Sequence, residues 1–298
     1  MKHAAITSSR LLARTYDALF KQIAPIEIAE AWDNVGLLVE APTPRPNANR
    51  VFVTNDLTVE SLDEALADPL VGVIVAYHPP LFSATKRLVM SNVKSAIVLR
   101  CAAAGVSILS PHTALDNCSD GINDWLIGAV RMHGVKEVTG VSPFNDGLAQ
   151  MLEKQGHKGA LGVGRIARLA QPQQLGTIVQ NIKDFSRLAN VRVAVPSAYH
   201  SDWKSFSVTS VAVCAGSGSS VLEAANADLL FTGEMSHHDV LAANARGCAV
   251  VLCEHSNTER GFLAGAFLEK LKSVINADGE IAVSVISSVA DKDPLFIV

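Results

Sequence analysis

Four stretches of the sequence gather imidazoles and carboxylates at spacings that suit metal or proton chemistry. "VGVIVAYHPPLF" delivers Tyr77 and His78 against Pro79 and Pro80, and "VSILSPHTALD" sets Asp116 four residues after His112. "LLFTGEMSHHD" supplies Glu234, His237, His238 and Asp239, and "AVVLCEHSNTE" sets Glu259 four residues after His255. Mixed His and carboxylate sets suit Zn, Mn, Fe or Co, and a carboxylate has two oxygens with which to bridge a pair of ions. Two ions roughly 3.5 to 4 Å apart can polarise a substrate and generate hydroxide at neutral pH. A dinuclear centre is the chemistry these stretches suggest when taken together. Each also has a local alternative. Ser256-x-x-Glu259 and Ser236-x-x-Asp239 fit capping boxes, and Thr113-x-x-Asp116 fits a related helix N-cap pattern, so the acids could be closing helices instead.

The elements that must position these residues are legible from hydrophobic periodicity. Each stretch opens on a short apolar run of the kind that forms a buried strand, so the histidines fall at strand ends. In open α/β sheets, the carboxyl ends of strands are where ligands bind. "RVFVTND", "VGVIVAYH" and "VSILSPH" read as strands, with helices near Val59 to Ala67, in "VKSAIVLRCAAAG" and in "DGINDWLIGAVRMHG". After a less patterned middle, strand and helix alternate three more times from about residue 207. This βαβ rhythm predicts an α/β fold, with mostly parallel sheets flanked by helices. A metal-site lobe over 1–130 plus 230–298, interleaved with a second α/β lobe over 131–229, is the expected division. The two prolines after His78 restrict the residue before each ring to extended backbone, which presets the geometry of the site. "CAGSGSS" (214–220) follows a strand and opens a helix, and fits either a tight turn or a cradle for a phosphate.

Composition narrows the class. Of 298 residues 49% are apolar and 5% aromatic, which suits helices over a buried sheet better than a β-sandwich. A formal net charge of -4, with no window mixing Lys/Arg and aromatics, argues against direct nucleic-acid binding. No apolar run approaches the ~20 residues needed to cross a bilayer, so no membrane partner is expected. Five cysteines, an odd number without a CxxC pair, read as reduced thiols and point to the cytoplasm. The first 16 residues, with three basic residues, two serines and no acid, leave a mitochondrial presequence as the alternative.

With these residues assembled, the chain resembles the Ngg-interacting-factor-three-like family of dinuclear metal-centre proteins, also described as GTP cyclohydrolase 1 type 2 homologues. The resemblance rests on "WDNVGLLV", "YHPPLF", "SPHTALD", "GVGRIARL", "CAGSGSS", "TGEMSHHDVL" and "HSNTERGFL", in the family's order. It is to the compact form without an inserted middle domain. It implies two interleaved α/β lobes, a homohexameric ring, and a two-metal site facing the ring interior. It also implies that His78, Asp116, His255 and Glu259 are the metal ligands, with His112 and His237 nearby. Tyr77 replaces the first histidine of the family's His-His-Pro block, a form that eukaryotic-like members share. A phenol with a pKa near 10 is a poor neutral ligand, so one or two ions per chain are expected.

Two functions follow. One is a metal-dependent hydrolase acting on a nucleotide or another phosphorylated small molecule, with His112 or His237 moving protons or touching substrate. The other is a non-catalytic metal-binding scaffold or regulator that works through protein partners.

Overall fold

The computed structural model describes residues 8–159, 162–279 and 282–296. The start of the presequence-like stretch, residues 1–7, lies outside the described residues. Strands β1 (Gly36–Val39), β2 (Arg50–Thr54), β3 (Val71–Ala76) and β4 (Ser107–Ser110) come first along the chain. They are followed by β5 (Val135–Thr139), β6 (Ser142–Pro143), β7 (Gly162–Val163), β8 (Arg165–Gln174) and β9 (Arg192–Ala194). The last are β10 (Ser207–Ser217), β11 (Leu229–Glu234), β12 (Ala249–Leu252) and β13 (Ser284–Ser287).

Two compact units divide the chain, one comprising Met1–Leu115 with Phe262–Val298 and the other Asp116–Gly261. The borders read from sequence rhythm, 130 and 230, differ from these. Pairing of β11 with β10 and of β12 with β11 ties 229–252 to the sheet of the second unit.

In the first unit the sheet order is β1-β4-β3-β2-β13. Every neighbour pair is parallel except β1 with β4. The all-buried β4 and the near-continuous burial of β3 explain why these strands read as unbroken apolar runs, since both faces of the sheet are covered. One core joins Phe52, Ile74 and Ile108 of the sheet to Leu62 and Ala65 of the helix Val59–Ala67, and to Ile97, Val98 and Cys101 of the helix Val93–Ala103. The first of those helices starts at a capping box, Thr58 with Ser61, and the second at Asn92, whose side chain accepts from the Ser95 amide.

In the second unit the order is β5-β8-β10-β11-β12-β9. Its centre, β10-β11-β12, is parallel, and antiparallel strands complete both edges. β6 and β7 form a separate antiparallel pair. The core joins Ala212, Leu230 and Val250 to Leu222 and Ala243. The α/β class read from the sequence therefore holds, with a mainly parallel sheet in one unit and a mixed one in the other. In each unit the parallel strands bring their carboxyl ends to one edge, and that edge carries the histidines.

Candidate metal centre

In the first unit, a group of histidines and carboxylates gathers where β2, β3 and β4 end. The Tyr77 and His78 amides donate to the carbonyls of Thr54 (2.9 Å) and Asn55 (3.0 Å), so the ladder between β2 and β3 continues for two residues before Pro79 stops it. This brings Asp56, just past β2, beside His78, just past β3, with His78 Nδ1 2.8 Å from Asp56 Oδ1. A carboxylate only accepts, so Nδ1 is the donor, and in the neutral ring that leaves the lone pair on Nε2.

His112 repeats the arrangement. Its Nδ1 lies 2.8 Å from both oxygens of Asp33, whose side chain is fully buried. Burial pushes the Asp33 carboxyl up, yet the hydrogen bond and electrostatic attraction from His112 and the two bonds from Thr113 outweigh it and hold it below the usual range. His112 adopts φ +22°, strain that β-branched or bulky residues seldom bear and that here aims the ring. The Tyr77 ring, 2% exposed, packs against both histidines at centroid distances of 4.9 and 5.4 Å, and the two imidazoles stand edge-on at 5.3 Å.

In the second unit, such a group gathers at the ends of β11 and β12. His255 Nδ1 is 2.8 Å from Glu234 Oε1, a third carboxylate holding a third strand-end imidazole. On the other side of the ring, Nε2 lies 3.2 Å from Oε1 of Glu259, whose side chain is 1% exposed. Glu254, just before, sits at φ +65°. An ion between an imidazole nitrogen and a carboxylate oxygen would be met by donors that already converge, which fits the residues to a divalent metal.

Space for this pair is made by Gly216, at φ +60°. A methyl group there would come within 2.6 Å of Glu259 Oε1 and 2.7 Å of His255 Nε2. Gly218 approaches Thr232 just as closely, since an added Cβ would lie 2.5 Å from its hydroxyl oxygen. Gly216 thus lies at the irregular end of β10, packed against the His255–Glu259 pair, and the helix that follows, Ser219–Leu222, is only four residues long.

Asp116 lies half-buried on the short helix His112–Asn117, with its carbonyl accepting from Asn123 Nδ2 at 3.1 Å. His237 is exposed at the start of the helix His237–Ala245 and lines a cavity of about 280 Å³ with Arg192, Met235 and Val240. The capping alternative holds for Asp239. The Ser236 hydroxyl accepts from its amide at 3.2 Å and donates to its carboxylate at 2.7 Å. It does not describe Thr113, whose hydroxyl donates to Asp33 and accepts from the Glu30 amide. Sequence reading passed over Asp33 and Asp56 as functional residues. The available signal was position, since Asp56 follows β2 as His78 follows β3.

A sequence model of the family Duf34/NIF3 (NGG1p interacting factor 3) matches residues 13–294. The chain is 42% identical over 269 residues to "Protein NIF3 homolog" of Schizosaccharomyces pombe, covering 90% of this chain and 92% of that one. It is 36% identical over 282 residues to "NGG1-interacting factor 3" of Saccharomyces cerevisiae, covering 89% and 90%. Among solved structures, a Bacillus cereus protein related to NIF3 superposes with a TM-score of 0.78 at 19% identity, covering 99% of this chain and all of that one. Reduced HcgD from Methanocaldococcus jannaschii does so with a TM-score of 0.66 at 21% identity, covering 89% and 92%. These two likenesses speak for the fold alone. Near end-to-end matches in both sequence and fold lead to one conclusion: the chain belongs to the Duf34/NIF3 family.

Proposed function

We propose that the protein binds divalent metal through His78, Asp116, His255 and Glu259 and acts as a metal-dependent hydrolase on a nucleotide or another phosphorylated small molecule, in the manner of a GTP cyclohydrolase type 2. The observation that carries this reading is the repeated pairing of a carboxylate with the Nδ1 of a strand-end histidine: Asp56 with His78, Asp33 with His112, and Glu234 with His255. Such partners fix the tautomer, orient the ring and raise its basicity as a ligand. His255 and Glu259, whose Nε2 and Oε1 lie 3.2 Å apart within the second unit, make a pair of donors of a kind able to hold an ion. A divalent ion of the Zn, Mn, Fe or Co type, one or two per chain, supplies Lewis acidity toward a phosphoryl or carbonyl oxygen and acidifies water. His112, held at Nδ1 by an ionised Asp33, exchanges protons at Nε2, and His237 contacts substrate or shuttles a proton. Six copies assemble as a ring in the cytoplasm, with a mitochondrial location as the alternative.

A second reading is favoured by Tyr77 and by the name of the budding-yeast relative: a metal-binding scaffold that works through a protein partner without turnover. Tyr77 is buried where the family resemblance puts another histidine, and a scaffold tolerates that loss.

Elemental analysis of the purified protein, beside a His255→Ala/Glu259→Ala double variant, tests the first reading. About two metals per wild-type chain, lost in the variant, is the outcome expected of a two-metal hydrolase. A single metal favours the scaffold, and a wild-type protein without metal removes both readings.

A further inference from the structure

A short side chain such as that of Asp116 can reach only where its backbone puts it, and that backbone is held by two fully buried polar residues, Asn123 and Arg165. Asn123, on the helix Ile122–Ile127, uses both ends of its amide. Nδ2 donates to the Asp116 carbonyl at 3.1 Å, and Oδ1 accepts from the Ala215 amide at 2.9 Å. The next residue, Gly216, donates its amide to the Thr258 hydroxyl at 2.8 Å, and that hydroxyl donates to the His255 carbonyl at 2.7 Å. The chain of contacts therefore runs from the backbone of one proposed ligand to that of another, by way of the glycine whose missing side chain gives the His255–Glu259 pair its room.

Arg165 holds the far side of the same segment. Its guanidinium meets Asp124 with two bonds, Nε to Oδ1 at 2.7 Å and Nη2 to Oδ2 at 3.1 Å. Its remaining N–H groups reach the carbonyls of Asn117 (3.2 Å), Cys118 (2.8 Å), Gly162 (2.8 Å) and Gly164 (2.8 Å). Asn117 and Cys118 immediately follow Asp116. A buried guanidinium is a poor source of net stability, because desolvation offsets most of what its partners return, and apolar residues of similar volume often do as well. What it provides that they cannot is a rigid fork with five donors that fixes several carbonyls at once.

We propose that Asn123, backed by Arg165, is a positioning residue for the ligand Asp116, setting its backbone and coupling it to the His255–Glu259 pair. This rests on the metal reading above, with Asp116 as a ligand. Asn123 and Arg165 act through the main chain only and touch no donor atom of the site.

The test uses Co2+ added to metal-stripped full-length protein, with affinity read by chelator competition and geometry by the visible d–d bands. Asn123→Ala is compared with Leu126→Ala, which removes a fully buried side chain from the same helix but leaves the path intact. Asn123→Ala should weaken Co2+ binding by about 10- to 100-fold and alter the bands, the scale seen when outer-shell partners of metal ligands are removed. Leu126→Ala should lower the melting temperature at least as much while keeping wild-type affinity and spectrum. Should Asn123→Ala fail to fold, Arg165→Lys, which keeps the charge but loses the fork, takes its place with the same expected loss. Wild-type Co2+ binding that survives unchanged in the variant overturns the positioning role alone, as does a loss that follows melting temperature across both variants. A wild-type protein that takes up no Co2+ overturns the metal reading, and the positioning role falls with it.

Discussion

A carboxylate at Nδ1 decides which nitrogen of an imidazole can act, and three histidines here are held in this way by Asp56, Asp33 and Glu234. Glu234→Gln keeps the size of the side chain, but its amide can donate to Nδ1 and so drive the proton to Nε2, the atom facing Glu259. Metal affinity should fall by about 10- to 100-fold with the melting temperature little changed, measurable by chelator competition. Asp33 gives a pH prediction whose sign follows from the direction of its shift. Its folded-state pKa is lowered, so the stability it contributes is present above the unfolded value of about 3.9 and is lost as pH falls through the folded value. Denaturant unfolding between pH 7 and pH 2 should show a shallower acid limb in Asp33→Asn than in the wild type. Equal slopes would mean that the buried pair with His112 contributes nothing on the acid side.

At the scale of elements, the candidate residues depend on how strands end. The irregular end of β10 passes close to the residues just after β12, and Gly216 is the residue that permits the approach. Its left-handed φ and the 2.6 Å and 2.7 Å contacts that a methyl group would make both oppose any side chain. Gly216→Ala should cost roughly 1–3 kcal/mol in stability, the usual scale for backbone strain plus overpacking. Because the displaced atoms are the His255 and Glu259 donors, metal content should fall by more than the stability change explains. Calorimetry beside elemental analysis separates the two effects, and a variant with wild-type metal content would remove Gly216 from the site. The strained backbone at His112 and Glu254 belongs to the same level of organisation, where strand ends bend to aim a side chain.

At the scale of the molecule, each unit by itself follows one plan: parallel strands that end at one edge of its own sheet, packed with helices around an apolar core. Among the described residues no helix is long and apolar enough to cross a membrane. All five cysteines are free thiols and buried, and burial pushes those of Cys101 and Cys253 up to about 12. The thiolate is the reactive species, so native protein at pH 8 should react with a thiol reagent far more slowly than denatured protein, in which all five titrate. Rapid native labelling of Cys101 or Cys253 would contradict the packing described.

The sequence by itself determined the strand ends, because continuous apolar runs such as "VGVIVA" and "AVVL" carry the signature of strands buried on both faces, and the histidines follow directly after them. It also determined the family, through blocks in a fixed order along nearly the whole chain. What it left open were contacts between segments far apart in the chain. Periodicity places a side chain on its own strand but not beside a partner 79 residues away, as with Asp33 and His112, or 22 away, as with Asp56 and His78. It left the acids with two roles each, and tertiary structure separated them: Asp239 closes a helix, while Glu259 is turned inward toward His255. Pairing across the second sheet, which periodicity does not specify, likewise decided that β11 and β12 belong with β10.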